Sequence, residues 1–212
     1  MNSAETRECE RLARVARNKL DAAPVLAALR AHGFAIETVA DLFNKKLNYQ
    51  EAIPILLDWL QRVTNPDVKE DIVRALSVKW ARDTVAPKLL ITEFEKAEDS
   101  TGAGLRWAIG NALEVLAKDD IANELIRLAT DRRFGKAREM LVVGLGKLKD
   151  SRVTDVLLNL LSDEEVVGHA VIALGKLRAR GARSHIEPLL KHPKPWIRKE
   201  AKKAVTRIDK AG

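Results

Sequence analysis

The heptapeptide VIALGKL at residues 171–177 returns 29 residues earlier as VVGLGKL, at residues 142–148. More worn copies read GNALEVL at 110–116, VRALSVK at 73–79 and KKAVTRI at 202–208. A small residue precedes the central aliphatic one in each copy: Ala75, Ala112, Gly144, Ala173 and Ala204, at spacings of 37, 32, 29 and 31 residues. A period near thirty belongs to helical solenoids, in which a unit too small to bury its own apolar face stacks on its neighbours.

Around each of these anchors, apolar or small residues recur at helical spacing. In the fourth copy they are Ala170, Ala173, Leu174 and Leu177, a stripe of 3.6-residue period facing a core. Six residues before the anchors stand Lys69, Arg106, Arg138, Val167 and Arg198, and seven before them Val68, Leu105, Ala137, Val166 and Ile197. This pattern, an aliphatic residue, then Arg, then small residues, then Ala-Leu-Gly, resembles the HEAT repeats of the type first described in phycobilin lyases. The resemblance covers roughly residues 48–210, tightest in the last three units, and Val167 departs from its basic column. It implies an all-α, right-handed α-α superhelix of about five helix pairs. Residues 1–47 lack the repeat signature and are expected to form an N-terminal helical cap on a continuous array over 48–212.

Along the chain, residues 4–20 read as one helix, and Asp21 as the cap of a second that carries Pro24 in its first turn and stops at Gly33. A short third helix is expected at residues 36–43. The first repeat opens at Asn48, and Pro54 falls in the second turn of its first helix, where it would tilt or kink it. Asn65 and Pro66 read as the cap and first position of the partner helix. In the second repeat Ser100 or Thr101 is placed to cap a helix whose start carries Gly102 and Gly104. The remaining pairs cover 119–148, 150–177 and 181–208.

Hydrophobic residues make up 46% of the 212, enough for a core running the length of such an array, and no strand-like alternation interrupts it. Charges break every apolar run well short of the ~18 residues a membrane span needs. Charged residues also occupy the first twenty positions, where a signal peptide would need an apolar stretch. The single cysteine, Cys9, excludes an internal disulfide and fits a reducing compartment. A cytoplasmic monomer is the expectation. The net charge of +7 is unevenly placed, since from Lys176 onward there are 12 basic side chains against 3 acidic ones. Such an excess either solubilises a terminal repeat or meets an anionic partner.

Catalytic patterns are sparse. The run Gly144 to Lys147 lacks the preceding strand and longer spacing of a phosphate loop, so Gly144 and Gly146 read as sites of close helix packing. The four histidines are scattered with no i, i+4 pair. The His-Glu dyads by which the HEAT-built deoxyhypusine hydroxylases hold iron have no counterpart, and neither metal nor cofactor is expected. Trp107 and Asn111 share a helix face in a manner similar to the HEAT-like alkylpurine DNA glycosylases, but an Asn stands where that chemistry wants a carboxylate.

In HEAT-like solenoids the second helices line a concave face. The position before each anchor, Arg74, Asn111, Val143, Ile172 and Lys203, is expected to point into it. Trp107, Met140 and His169 flank this column on one side, and Lys147, Lys176 and Arg207 on the other. An apolar strip rimmed by basic residues suits a protein or peptide partner better than a phosphate track. The reading is therefore a non-enzymatic adaptor, scaffold or immunity-type protein that binds its partner in the concave groove. The alternative is a nucleic-acid binder distantly resembling the glycosylases, and a phycobilin-lyase-like subunit is suggested by the repeat name alone.

Overall fold

The computed structural model describes residues 3–98 and 104–210. Among them every regular element is a helix, and the fold is an α solenoid. The chain forms two compact units, Met1–Ala86 and Pro87–Gly212.

The first unit begins with α1 (Ser3–Ala31), a single helix where the sequence suggested two. Asp21 does not cap: its carboxylate accepts a hydrogen bond from Asn65 Nδ2 at 2.7 Å. Pro24 cannot donate to the carbonyl of Leu20, yet the helix runs through it. The burial of Val25, Leu26 and Leu29 holds the C-terminal half in place. Gly33, at φ +89°, ends the helix as expected, with Phe34 N bonding back to Leu29 O at 3.2 Å. The third helix shrinks to α2 (Asp41–Asn44), because the Asp41 carboxylate accepts from the amides of Glu37 and Thr38 and folds the preceding residues into a turn.

After a 3-10 turn at Gln50–Ala52, α3 (Ile53–Arg62) starts with Pro54 in its first two positions. Pro54 therefore opens the helix and does not kink it, its missing N–H being one the first turn leaves without a partner in any case. The start of α4 (Pro66–Leu76) matches expectation, as Asn65 Oδ1 accepts from Asp67 N at 3.0 Å and Pro66 leads the helix. Tyr49 is buried and donates its hydroxyl to Ala75 O at 3.0 Å, and burial pushes that hydroxyl up to about 12.

The second unit contains α5 (Ala86–Lys96) from its second residue on, α6 (Leu105–Leu116), α7 (Ala122–Thr130), α8 (Glu139–Leu145), α9 (Val153–Leu160), α10 (Val167–Leu177), α11 (Arg183–Ile186) and α12 (Pro195–Asp209). Ser100, Thr101 and Gly102 lie outside the described residues. The second helices stack in sequence, α6 on α8, α8 on α10 and α10 on α12. Ahead of α8 a 3-10 stretch, Arg132–Arg138, is kinked at Gly135, which has φ +49°.

The anchors are buried throughout, and the three junctions within the second unit follow a rule. The residue two after one anchor meets the next anchor backbone to backbone. A Cβ on Gly144 would stand 3.4 Å from Glu114 Cα, one on Gly146 2.8 Å from Ala173 Cα, and one on Gly175 2.9 Å from Ala204 Cα. Each junction has room for one Cβ, and a glycine supplies the other side.

The basic column has a structural role. Arg106 donates to Phe94 O at 3.0 Å and to Ala97 O. Arg138 donates to Ala129 O at 3.3 Å, and Arg198 to His192 O and Pro193 O at 2.7 and 2.9 Å. Each guanidinium thus satisfies carbonyls left open at or beyond the end of its own unit's first helix.

Candidate functional site

The face of the second-helix layer carries the residues singled out from the sequence. Trp107, Asn111, Met140, His169 and Ile172 are half-buried. Val143 is not available: it is 5% exposed, in the core of a helix flanked on both sides by α6 and α10. The expectation that it stands free in the strip is corrected. One carbon shorter than Ile172, it does not reach past its neighbours. Asn111 Nδ2 donates to Trp107 O at 2.9 Å, so the amide is engaged by its own helix.

The four basic positions beside the strip differ. Lys147 Nζ reaches Glu114 O at 2.7 Å and Glu114 Oε1 at 2.9 Å, while Lys176 Nζ reaches the same Oε1 at 3.2 Å. Two successive units therefore converge on one carboxylate. Burial opposes the charge on Glu114, but the two ammonium groups outweigh it and hold the carboxyl below its ordinary range. Lys203 pairs with Glu200 at 2.6 Å, and Arg207 is exposed.

Reasoning from the sequence passed over Trp196. Its ring packs over Gly168, where an added Cβ would meet the indole at 2.0 Å, and lies 5.4 Å from the His169 ring at a tilt of 52°. It stays 43% exposed. The legible signal was the pairing of a helix-opening Trp with a glycine one unit upstream. Behind it, His169 Nδ1 is buried without a hydrogen-bond partner, and Nε2 stands 3.9 Å from Glu139 Oε2. Burial lowers the pKa of His169 and raises that of Glu139, so desolvation disfavours both charged forms. Among the described residues, no group of three or more His, Cys, Asp or Glu is placed to hold a metal ion.

No protein-family model matches the chain, and no curated protein matches it. Solved structures do. One, a designed armadillo repeat protein in complex with the peptide (KR)4, is 16% identical with a TM-score of 0.52, over 98% of this chain and 95% of that one. A second designed armadillo repeat protein is 17% identical with a TM-score of 0.50, over 77% and 85%. An engineered protein is 20% identical with a TM-score of 0.51, over 76% and 81%. At these identities the likeness is one of fold, a helical repeat solenoid.

Proposed function

We propose that the chain is a non-enzymatic helical repeat protein of the HEAT type that binds a protein or peptide along the second-helix face of its second unit. The observation that carries this reading is the set of partly exposed apolar side chains that successive second helices present, Trp107, Met140, Ile172 and Trp196, beside Lys147, Lys176, Lys203 and Arg207. Aromatic and aliphatic anchors with a polar rim are what binding hot spots use. The designed armadillo repeat protein of this fold in complex with a peptide supports the kind of partner. In this reading the protein works as a cytoplasmic, monomeric adaptor or scaffold, and no helix among the described residues is long and apolar enough to cross a membrane.

The test is a peptide-display selection on the whole chain, followed by affinity measurement on Trp107→Ala, Ile172→Ser and Trp196→Ala. The reading expects each variant to keep its melting temperature within a few degrees and to weaken the selected ligand about tenfold or more, the ~1.4 kcal/mol and upward of a hot spot. Ligands that ignore all three variants would place the site elsewhere.

A second reading, nucleic-acid binding, is favoured by one feature. Lys199, Lys202, Lys203, Thr206 and Arg207 line a shallow depression of about 370 Å3 on α12.

A further inference from the structure

Within the first unit, a cavity of about 560 Å3 opens between α1 and α4. That volume lies in the range of ligand sites, which run from ~300 to 1,000 Å3. Its apolar wall is built by Val15, Leu26, Val39 and Val68. Val15 is 52% exposed although it faces this space, so the wall is only partly covered by the unit itself.

The charges in the lining are unequally engaged. Asp67 receives Asn18 Nδ2 at 2.7 Å and has Arg14 Nε at 3.8 Å. Arg30 is fixed by the bond from its Nε to Ile36 O at 2.8 Å. Asp71, one turn beyond Asp67 on α4, is half-buried, and among the described residues no donor or cation is bonded to it. Arg74, the base on its helix whose charge acts on it, is held at 2.6 Å by Glu70. Burial first, then the charges of Glu70 and Asp67, raise the Asp71 carboxyl above its ordinary range, against a smaller opposing effect of Arg74. A half-buried carboxylate with no cation bonded to it destabilises the fold that carries it. Its natural complement is a cation supplied from outside.

We propose that this cavity receives a partner segment in which a lysine is flanked by aliphatic residues, the aliphatic side chains packing on Val15, Leu26, Val39 and Val68 and the ammonium settling on Asp71. The site lies wholly within Met1–Ala86 and stands independently of the second-unit face. Glu37 adds to the cavity's negative side, while Lys19 and Arg30, also in its lining, act against a cationic ligand, so the sign of the preferred ligand discriminates.

The experiment titrates the whole chain with three capped peptides, acetyl-Leu-Lys-Leu-amide and its Gln and Glu counterparts, following the methyl signals of Val39 and Val68 by NMR. The expected order is Lys over Gln over Glu, with Lys at least tenfold tighter than Gln at low salt and the difference shrinking as salt rises. Asp71→Asn should bring the Lys peptide down to the affinity of the Gln peptide while leaving the melting temperature equal or higher, because an unpaired carboxylate has been removed. A merely structural Asp71 would give the reverse on both readouts. Equal binding of Lys and Gln, tightest binding of Glu, silent Val39 and Val68 methyls, or an Asp71→Asn protein that still prefers Lys would each overturn the proposal. Should the variant fail to fold, the order of the three peptides on the unaltered chain decides alone.

Discussion

Arg138 Nη1 lies 3.0 Å from Asp163 Oδ2, with the arginine wholly shielded from solvent and the aspartate 7% exposed. The pair joins the third repeat to the fourth, and Glu165 adds a second carboxylate at 2.8 Å from Nη2. Val167, the break in the basic column, sits where this arginine from the preceding unit already holds the loop.

Asp163→Ala leaves a buried guanidinium with one partly exposed carboxylate, that of Glu165, to balance its charge, and should destabilise by about 3 kcal/mol. Burial works against the charge on Asp163. The bonds from Arg138 and from the Glu165 amide, with the charges of Arg138 and Arg132, outweigh it and hold the carboxyl below its ordinary range. A depressed folded-state pKa stabilises above the unfolded value and loses that contribution as pH falls through the folded one. In urea melts, the gap between native chain and variant should be widest at neutral pH and narrow on acidification below the ordinary carboxylate range.

The one-Cβ junctions predict an ordering among small changes. Gly146→Ala and Gly175→Ala push a methyl into backbone at 2.8 and 2.9 Å and should each cost about 1–3 kcal/mol, as should Ala173→Leu. Gly181→Ala, with nothing within 4 Å of the new Cβ, should be neutral or stabilise by about 0.4–1 kcal/mol. Thermal unfolding of the set checks the order, and equal effects at Gly146 and Gly181 would contradict the close approach of α8 and α10.

Val143→Ser and Ile172→Ser should separate. Val143 is core, so placing a hydroxyl there and leaving a void should cost about 1–3 kcal/mol. Ile172 is half-exposed and should cost less than ~1 kcal/mol, with its effect seen mainly in partner binding. Denaturant midpoints for the two single variants test this directly.

For α12, duplex binding should be weak and blind to sequence, and lost near physiological salt. If Lys199, Lys202, Lys203 and Arg207 do grip phosphates, the log-log salt plot should fall with a slope of about −0.9 per contact. Submicromolar affinity at physiological salt would put the nucleic-acid reading first.

The anchors and the close-packing glycines were legible in the sequence because a small side chain at a fixed helical phase has few causes other than another backbone nearby. Asn65-Pro66 and Gly33 were legible for the same kind of reason, each residue type answering a local backbone need. The register of the exposed strip was only partly so. Position before the anchor sits at the edge of the interhelical seam, where Arg74 and Lys203 emerge, Ile172 emerges halfway and the shorter Val143 does not. The single long α1 was hidden because the bonds of Asn18 and Asp21 to Asn65 and Asp67 join residues more than forty apart. Trp196 was missed for a similar reason, its partner Gly168 belonging to the previous unit.

The junction rule also decides which units could have been copied in tandem. A unit carrying Ala at its anchor and Gly two residues on, as Ala173 and Gly175 do, fits on top of a duplicate of itself with its single Cβ intact. The unit of Gly144 and Gly146 stacked on its own copy would face glycine with glycine and leave a hole. The unit of Ala112 and Glu114 would set one Cβ against another and collide. Of these three the fourth repeat is therefore the self-compatible module, and lengthening this array by gene duplication or by design should start from residues 150–177.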